Sequence, residues 1–513
     1  MGVVLAGGIV ASAYPKDPYP ELLDLARKVE PMFLFCGEDK LDWATKLELD
    51  LGHSVFGIAM GFEANEQYLQ FQHLEHLLNY NHAQSKSFNK IPVACLDTRT
   101  QPALILMSSG TTGKPKAVPA THWSCMMDML SFGANVTQSV KHIIVSAAAL
   151  DYVSGRLIQF GAIESSYELV LLDTFEPRKY LEAVERFRAT SICVGVSSFY
   201  SLITFAAIHD YDLSSVSSIL PMGAKVPLTT EFRDFLAKHP HIRRLKVGYG
   251  TSEFCVAATA LYSAEDYMKI SNVCGRLLPG CQVKVVDPES GQLLGRGKLG
   301  LVHLKSQSLF PGYYDVRRLH LSGQDTLNAS PYIADREVFD EDGFYITGDL
   351  GYFSDREELC IIGRQKEVMS CRGAKKVMPR ELEDVISSHK YVAEVCVLGI
   401  TKKDEPLVAC PRAYVVPKPE CYDDSFEVPA RHSDKKLKHC GTPKLCRLNK
   451  HVREFLAEDL MNHVNASVGW EKQLTGGIVI LDEIPVLRDT GKMDKRYLRS
   501  LSETDVSIYG DQS

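Results

Sequence analysis

Apolar and polar positions follow two rhythms through the first two thirds of the chain. Residues 180–188 repeat at helical spacing, with Leu181, Val184 and either Phe187 or Ala183 on one side, whereas residues 191–196 form a short apolar run suited to a buried strand. Residues 21–29 and 231–238 also read as helix, and residues 103–107 and 245–249 as strand. Such alternation predicts largely parallel sheets with helices on their faces, a fold class in which ligands sit at the carboxyl ends of strands. The pattern then changes. Residues 283–287, 299–304 and 359–362 are β-rich with intervening turns such as Pro288-Glu289-Ser290-Gly291, which predicts a smaller, more antiparallel subdomain. Past Gly363-Arg364, a helix over 380–388, a strand over 394–400 and a helix over 451–463 predict a further α+β unit.

Chemistry concentrates in Ser108-Ser109-Gly110-Thr111-Thr112-Gly113-Lys114-Pro115-Lys116, directly after the strand over 103–107. Glycines let the backbone approach a polyphosphate with its N–H groups inward, hydroxyls donate hydrogen bonds, and lysines add charge. It is not a Walker loop: only two residues separate Gly110 from Gly113, and Pro115 follows Lys114. Taken alone, such a run is also compatible with a plain solvent loop. The whole string resembles the phosphate loop of the adenylate-forming superfamily, which includes acyl-CoA synthetases, 4-coumarate-CoA ligases, firefly-type luciferases and peptide-synthetase adenylation domains. Four further segments resemble that family's motifs in its order. They are Gly248-Tyr249-Gly250-Thr251-Ser252-Glu253; Tyr345-Ile346-Thr347-Gly348-Asp349-Leu350-Gly351-Tyr352; Ile362-Gly363-Arg364-Gln365-Lys366, continuing to Gly373 and Pro379-Arg380-Glu381-Leu382-Glu383; and Arg488-Asp489-Thr490-Gly491-Lys492-Met493-Asp494.

The resemblance implies a large AMP-binding domain over 1–362, of parallel-rich sheets with helices plus the β-rich subdomain, and a small mobile α+β domain over 363–513. Because the phosphate loop begins as early as Ser108, it also implies a large domain shortened at its N-terminus. The implied activity is ATP-dependent activation of a small carboxylic acid as an acyl-adenylate, followed by transfer to the thiol of coenzyme A. In that scheme Ser108, Ser109, Gly110, Thr111, Thr112, Gly113, Lys114 and Lys116 hold the outer phosphates, and Gly248, Tyr249, Gly250 and Ser252 approach the nucleotide. Glu253 is the Mg2+ ligand, a hard oxygen beside phosphates, although a surface carboxylate at a strand end is the plainer alternative. Asp349 accepts from the ribose hydroxyls, against the alternative of a turn-forming aspartate. Arg364 contacts ribose or phosphate, and Lys492 reaches the α-phosphate and the acid unless it merely faces solvent. Tyr152, Gly223, Ala224, Tyr249 and Val256 line the acyl and thiol side together with Gly373, and their small, apolar character favours a fatty or aryl acid. Ser370 stands where luciferases and coumarate ligases carry a lysine, and Gly363 stands at the hinge, so the thioester-forming face departs from the pattern. A luciferase-like oxidative enzyme, a carrier-loading adenylation domain, and a non-catalytic or truncated nucleotide-binding relative are the rival readings.

Composition narrows the partners. Apolar content of 45% and charged content of 24% are ordinary for a globular enzyme. A net charge of −7 argues against nucleic acid, for want of basic excess. The 14 cysteines contain no C-x-x-C pair and suit reduced structural thiols. Cys421, Cys440 and Cys446 with His432 and His439 match no standard zinc spacing. No apolar run reaches membrane-spanning length, and the ending Gly510-Asp511-Gln512-Ser513 is not of the peroxisomal S-K-L type, so a cytoplasmic protein is expected.

Overall fold

The computed structural model describes residues 2–13, 18–60, 72–74, 97–108, 116–133, 142–148, 152–224, 226, 229–267, 269, 272–317, 331–333, 337–371, 375–402, 405–423, 426, 438–440, 446–486, 493–501 and 506–510. After a one-turn helix over Gly2–Leu5 and a two-residue strand over Val10–Ala11 come helix α1 (Tyr19–Val29), strand β1 (Phe33–Cys36), helix α2 (Asp42–Leu51) and strand β2 (Phe56–Ala59), with β1 and β2 parallel. Strands β3 (Pro102–Ser108) and β4 (Lys116–Thr121) are antiparallel and lead into helix α3 (His122–Gly133).

The parallel strands predicted from the alternation follow. They are β5 (Ile143–Ser146), β6 (Glu168–Leu171), β7 (Ser191–Gly195), β8 (Ser218–Met222) and β9 (Arg244–Tyr249). Helices α4 (Val153–Ser165), α5 (Pro177–Phe187), α6 (Val196–Ile203) and α7 (Thr230–Lys238) connect them. In α5, a proline in the first turn has its φ preset for helix, and Arg188 ends the helix in the left-handed region. Tyr180, Leu181, Ala183 and Val184 form its buried stripe while Phe187 is exposed, which decides between the two sequence alternatives. The Tyr180 hydroxyl donates to the Val145 carbonyl at 2.7 Å and accepts from the Cys193 N–H at 3.1 Å, tying β5 to β7. The strand expected over 191–196 stops at Gly195, because Val196 already opens α6.

The β-rich part is present and antiparallel. It comprises β10 (Ala258–Tyr262), β11 (Val273–Leu277), β12 (Gln282–Val286), β13 (Gly300–Lys305), β14 (Tyr345–Phe353) and β15 (Leu359–Arg364). It is joined edge to edge with the parallel part: β11 pairs with both β10 and β15, giving among the described residues one eleven-stranded sheet ordered β12-β13-β14-β15-β11-β10-β9-β8-β7-β5-β6. Farther on, helix α8 (Pro379–Ser387), strands β16 (Val392–Lys402) and β17 (Glu405–Pro417), helix α9 (Lys450–Ser467), strand β18 (Gly477–Ile480), helix α10 (Lys495–Ser500) and strand β19 (Ile508–Gly510) build a second sheet with its own core. Asn449 caps α9 by accepting from the Val452 N–H at 2.9 Å.

Gly363 was expected to serve as a freely rotating hinge. It lies within β15 opposite Leu350 and outside the left-handed region, and a Cβ there would come within 2.5 Å of Met378 Cε. The atom it would meet is the flexible end of a methionine side chain, so space alone does not demand glycine here. Helices α3 and α4 are joined by an ion pair, Asp128 to Arg156 at 2.7 Å, whose side chains are 2% and 4% exposed. Burial pushes the Asp128 carboxyl up, against the opposing pull of Arg156, Ser308 and Cys255. No helix among the described residues is long and apolar enough to cross a membrane, and no group of His, Cys, Asp or Glu among them is arranged to hold a metal ion.

Candidate active site

A cleft of about 4360 Å³ runs along the carboxyl ends of the parallel strands. Every described candidate residue except Ser370 and Gly363 lines it: Ser108, Lys116, Tyr152, Gly223, Ala224, Gly248, Tyr249, Gly250, Ser252, Glu253, Val256, Asp349 and Arg364. Ser109, Gly110, Thr111, Thr112, Gly113, Lys114, Gly373 and Lys492 lie outside the described residues. The flanks of the loop are in place, with Ser108 directly opposite Lys116 where β3 and β4 pair. Met493 and Asp494, the two residues after Lys492, also line the cleft. Ser370 lies on the exposed side of a short hairpin, opposite Lys376.

The centre of the site is built by sheet register. Asp349 on β14 faces Arg364 on β15 as a cross-strand pair, and Asp349 Oδ1 forms an ion pair with Arg364 Nε at 2.9 Å. The Tyr249 hydroxyl, arriving from the end of β9, donates to Asp349 Oδ2. Gly348 has φ +73°, a conformation that glycine adopts without strain, and it turns the backbone immediately before Asp349. Thr347 secures the turn: its hydroxyl donates to the Val302 carbonyl at 2.7 Å and accepts from the Asp349 N–H at 3.0 Å. Its carbonyl accepts from Arg364 Nη1 at 2.8 Å. Burial raises the Asp349 carboxyl above its ordinary pKa, although Arg364 and Tyr249 pull the other way. Burial likewise drives the Tyr249 phenol far up, with Asp349 adding to the shift, so this tyrosine stays a donor. Burial would lower the Arg364 guanidinium, but Asp349, Tyr249, Tyr345 and Glu253 together outweigh it and leave it raised.

Glu253 sits on the loop after β9. Its carbonyl accepts from the Phe310 N–H at 2.8 Å, and its Oε1 accepts from the Tyr313 hydroxyl at 3.0 Å. Lys116 Nζ stacks 4.2 Å from the Tyr313 ring centroid, which brings the far flank of the phosphate loop up to Glu253. A single buried carboxylate is a fitting hard ligand for Mg2+, which commonly takes one or two carboxylates along with substrate phosphates and water. Gly250 is required by space, since a Cβ there would stand 1.9 Å from the Cys255 carbonyl oxygen. Cys255 itself has φ +58°, rare for a residue with a Cβ, and its thiol borders the Asp128–Arg156 pair.

The family model described as AMP-binding enzyme matches residues 1–314. The chain belongs to the AMP-binding enzyme family. Among its relatives, the Dictyostelium discoideum protein described as probable 4-coumarate–CoA ligase 1 is 27% identical over 429 residues, covering 81% of this chain and 73% of that one. The luciferin 4-monooxygenase of Photuris pensylvanica is 24% identical over 503 residues, 97% of this chain and 81% of that one. Among solved structures, the anthranilate CoA ligase AuaEII in complex with anthranoyl-AMP matches with a TM-score of 0.73 and 19% identity, covering 97% of this chain and 83% of that one. ATP-bound MatB from Rhodopseudomonas palustris matches with a TM-score of 0.72 and 20% identity, covering 97% of this chain and 84% of that one. At such identities the structural matches establish the fold alone. They agree with the mixed α/β architecture of this AMP-binding enzyme.

Sequence reasoning missed Tyr313 and the Asp128–Arg156 pair. Nothing local marks Tyr313, which meets Glu253 across 60 residues. The ion pair did leave a trace: Asp128 interrupts the apolar run Cys125-Met126-Met127-Asp128-Met129-Leu130, as charged residues in buried helices do only when paired.

Proposed function

We propose that this AMP-binding enzyme is an ATP-dependent acyl-CoA synthetase. It activates a carboxylic acid of the fatty or aryl class as its adenylate and then transfers the acyl group to coenzyme A. The observation that carries this reading is the buried Asp349, which shares its two oxygens between Tyr249 and Arg364 at the wall of the cleft, beside Glu253. A carboxylate has about four acceptor positions, so two remain here for a vicinal diol such as the ribose hydroxyls. In the first half-reaction a carboxylate oxygen of the acid attacks the α-phosphorus of ATP and pyrophosphate departs. Arg364 and Lys492 supply positive charge to the phosphoryl oxygens, and the loop from Ser108 to Lys116 holds the β- and γ-phosphates. Mg2+, when bound by Glu253, neutralises phosphate charge. In the second half-reaction the coenzyme A thiolate attacks the acyl carbon and AMP departs. Several relatives described as CoA ligases support this assignment.

The test is pyrophosphate exchange into ATP over a panel of fatty and aryl acids, followed by detection of the thioester when coenzyme A is added. Exchange with one class of acid and subsequent thioester is the expected result. ATP binding without exchange for any acid would sink the reading. Luciferin belongs in the panel because luciferin monooxygenases are among the relatives, and light emission on its addition would favour the oxidative alternative.

A further inference from the structure

Tyr313 stands where three parts of the cleft meet. It lies on a two-residue strand, Tyr313–Tyr314, paired antiparallel with Tyr332–Ile333 outside the eleven-stranded sheet. Its ring packs edge-to-face against Phe310 at 5.0 Å between centroids, and Phe310 meets Tyr345 in the same way at 5.3 Å. Those contacts fix the plane and the direction of the ring. Its hydroxyl reaches Glu253 Oε1 at 3.0 Å and lies 3.4 Å from the Tyr345 hydroxyl, while Lys116 Nζ sits 4.2 Å from the ring centroid. Tyr313, Glu253, Tyr345 and Lys116 all line the cleft.

The contacts to Glu253 and Lys116 use different parts of one side chain. The O–H donates to a carboxylate, a charge-assisted bond that restrains a flexible acid side chain. The electron-rich face of the ring takes an ammonium. Burial raises the Tyr313 phenol and Glu253 adds to the shift, so the hydroxyl keeps its proton and stays a donor. Packing alone would be served by phenylalanine, the residue present beside it at Phe310 and beyond at Phe339. The hydroxyl has its use at Glu253, because a ligating carboxylate binds metal better when another group orients it.

We propose that Tyr313 is a positioning residue that couples the metal side of the site to its phosphate side. Its hydroxyl holds one oxygen of Glu253 so that the other is left for Mg2+, and its ring holds Lys116 at the foot of the phosphate loop. This inference rests on the reading above that Glu253 binds Mg2+ and that the loop ending at Lys116 holds phosphates.

Calorimetric titration with ATP, in EDTA and at increasing Mg2+, reads both contacts without turnover of any acid. Mg2+ should tighten ATP binding to wild-type protein. Tyr313→Phe keeps the ring and should raise the Mg2+ concentration that half-saturates this effect ~10-fold or more, the range for a lost partner of a metal ligand. Its ATP affinity in EDTA should remain that of wild type. Tyr313→Leu should show the same Mg2+ defect and also weaken ATP binding in EDTA roughly 2- to 5-fold, the range for an exposed cation–π contact. Each defect should vanish in the matching background: the first in Glu253→Gln protein, the second in Lys116→Ala protein. The inference is overturned if Tyr313→Phe has the wild-type Mg2+ titration, as a packing role requires, or if its defect persists in Glu253→Gln protein. Should Tyr313→Leu fail to fold, the Tyr313→Phe and Glu253→Gln cycle decides alone. Absence of any Mg2+ effect on ATP binding to wild-type protein would remove this inference and leave the acid panel to decide the ligase reading. Failure of every acid to support exchange would remove the ligase reading while the binding titrations still decide the role of Tyr313.

Discussion

Replacing Asp349 by asparagine probes the centre of the site with almost no change of shape. Of the roughly four acceptor positions on the carboxylate, Tyr249 occupies one in the free protein and Arg364 stands against another as an ion-pair partner, leaving two for a diol. Asparagine has one carbonyl oxygen, and its amide donors face two groups that are themselves donors. A hydrogen bond to a charged group is worth about 1.5–3 kcal/mol, so losing one with partial loss of a second weakens nucleotide binding by about 2–3 kcal/mol, or roughly 30- to 150-fold in Kd. Stability suffers less. Arg364 keeps its bond to the Thr347 carbonyl and its side chain is 35% exposed, so solvent screens the orphaned guanidinium and the cost is ~1–2 kcal/mol rather than that of a fully buried break. The pH dependence has a definite sign. The folded-state pKa of Asp349 is raised, so its linkage contribution is fully present below the ordinary carboxylate value and is lost as pH rises through the folded value. Wild-type protein should therefore lose, across the window just above pH 3.8, an increment that Asp349→Asn never has. Calorimetric titration with ATP and urea unfolding across that window read both effects. Wild-type ATP affinity in a folded Asp349→Asn protein would refute the reasoning.

Glu253→Gln should raise the Mg2+ concentration for half-maximal pyrophosphate exchange at least ~10-fold while leaving AMP affinity unchanged; identical Mg2+ titrations would remove Glu253 as the ligand. Lys492→Ala should cut pyrophosphate exchange by roughly 10²-fold or more yet still convert supplied acyl-adenylate and coenzyme A to thioester, and equal loss of both steps would assign it a structural role. Arg156→Met leaves the Asp128 carboxylate buried without its partner and should cost about 3–5 kcal/mol in urea unfolding, with Asp128→Leu in the same chain restoring much of it.

The strands that carry the site were legible because each combines a short apolar run with a motif at its end, as at Leu245 to Tyr249. Helix α5 was legible because its apolar stripe is clean and its ends carry their own signals. What the sequence hides is anything decided by register. Asp349 and Arg364 are both visible as motif residues, but their direct opposition follows from the β14–β15 ladder, whose irregularity at Leu350/Gly351 has no reliable local signature. The resemblance supplied roles for Glu253 and Asp349, while the Tyr313 and Tyr249 hydroxyls that orient them come from distant segments.

The contact between Tyr249 and Asp349 spans 100 residues, and the ladder from β11 to β15 spans almost as many. Contacts of such separation close large loops, which makes them slow to form in folding. The Tyr249–Asp349 pair is thus absent until the antiparallel extension has docked beside the parallel strands. A ligand that reads this pair then recognises only chains whose sheet is finished. It should act as a brake on unfolding, leaving the rate of folding untouched, and its uptake during refolding marks the last stage of assembly.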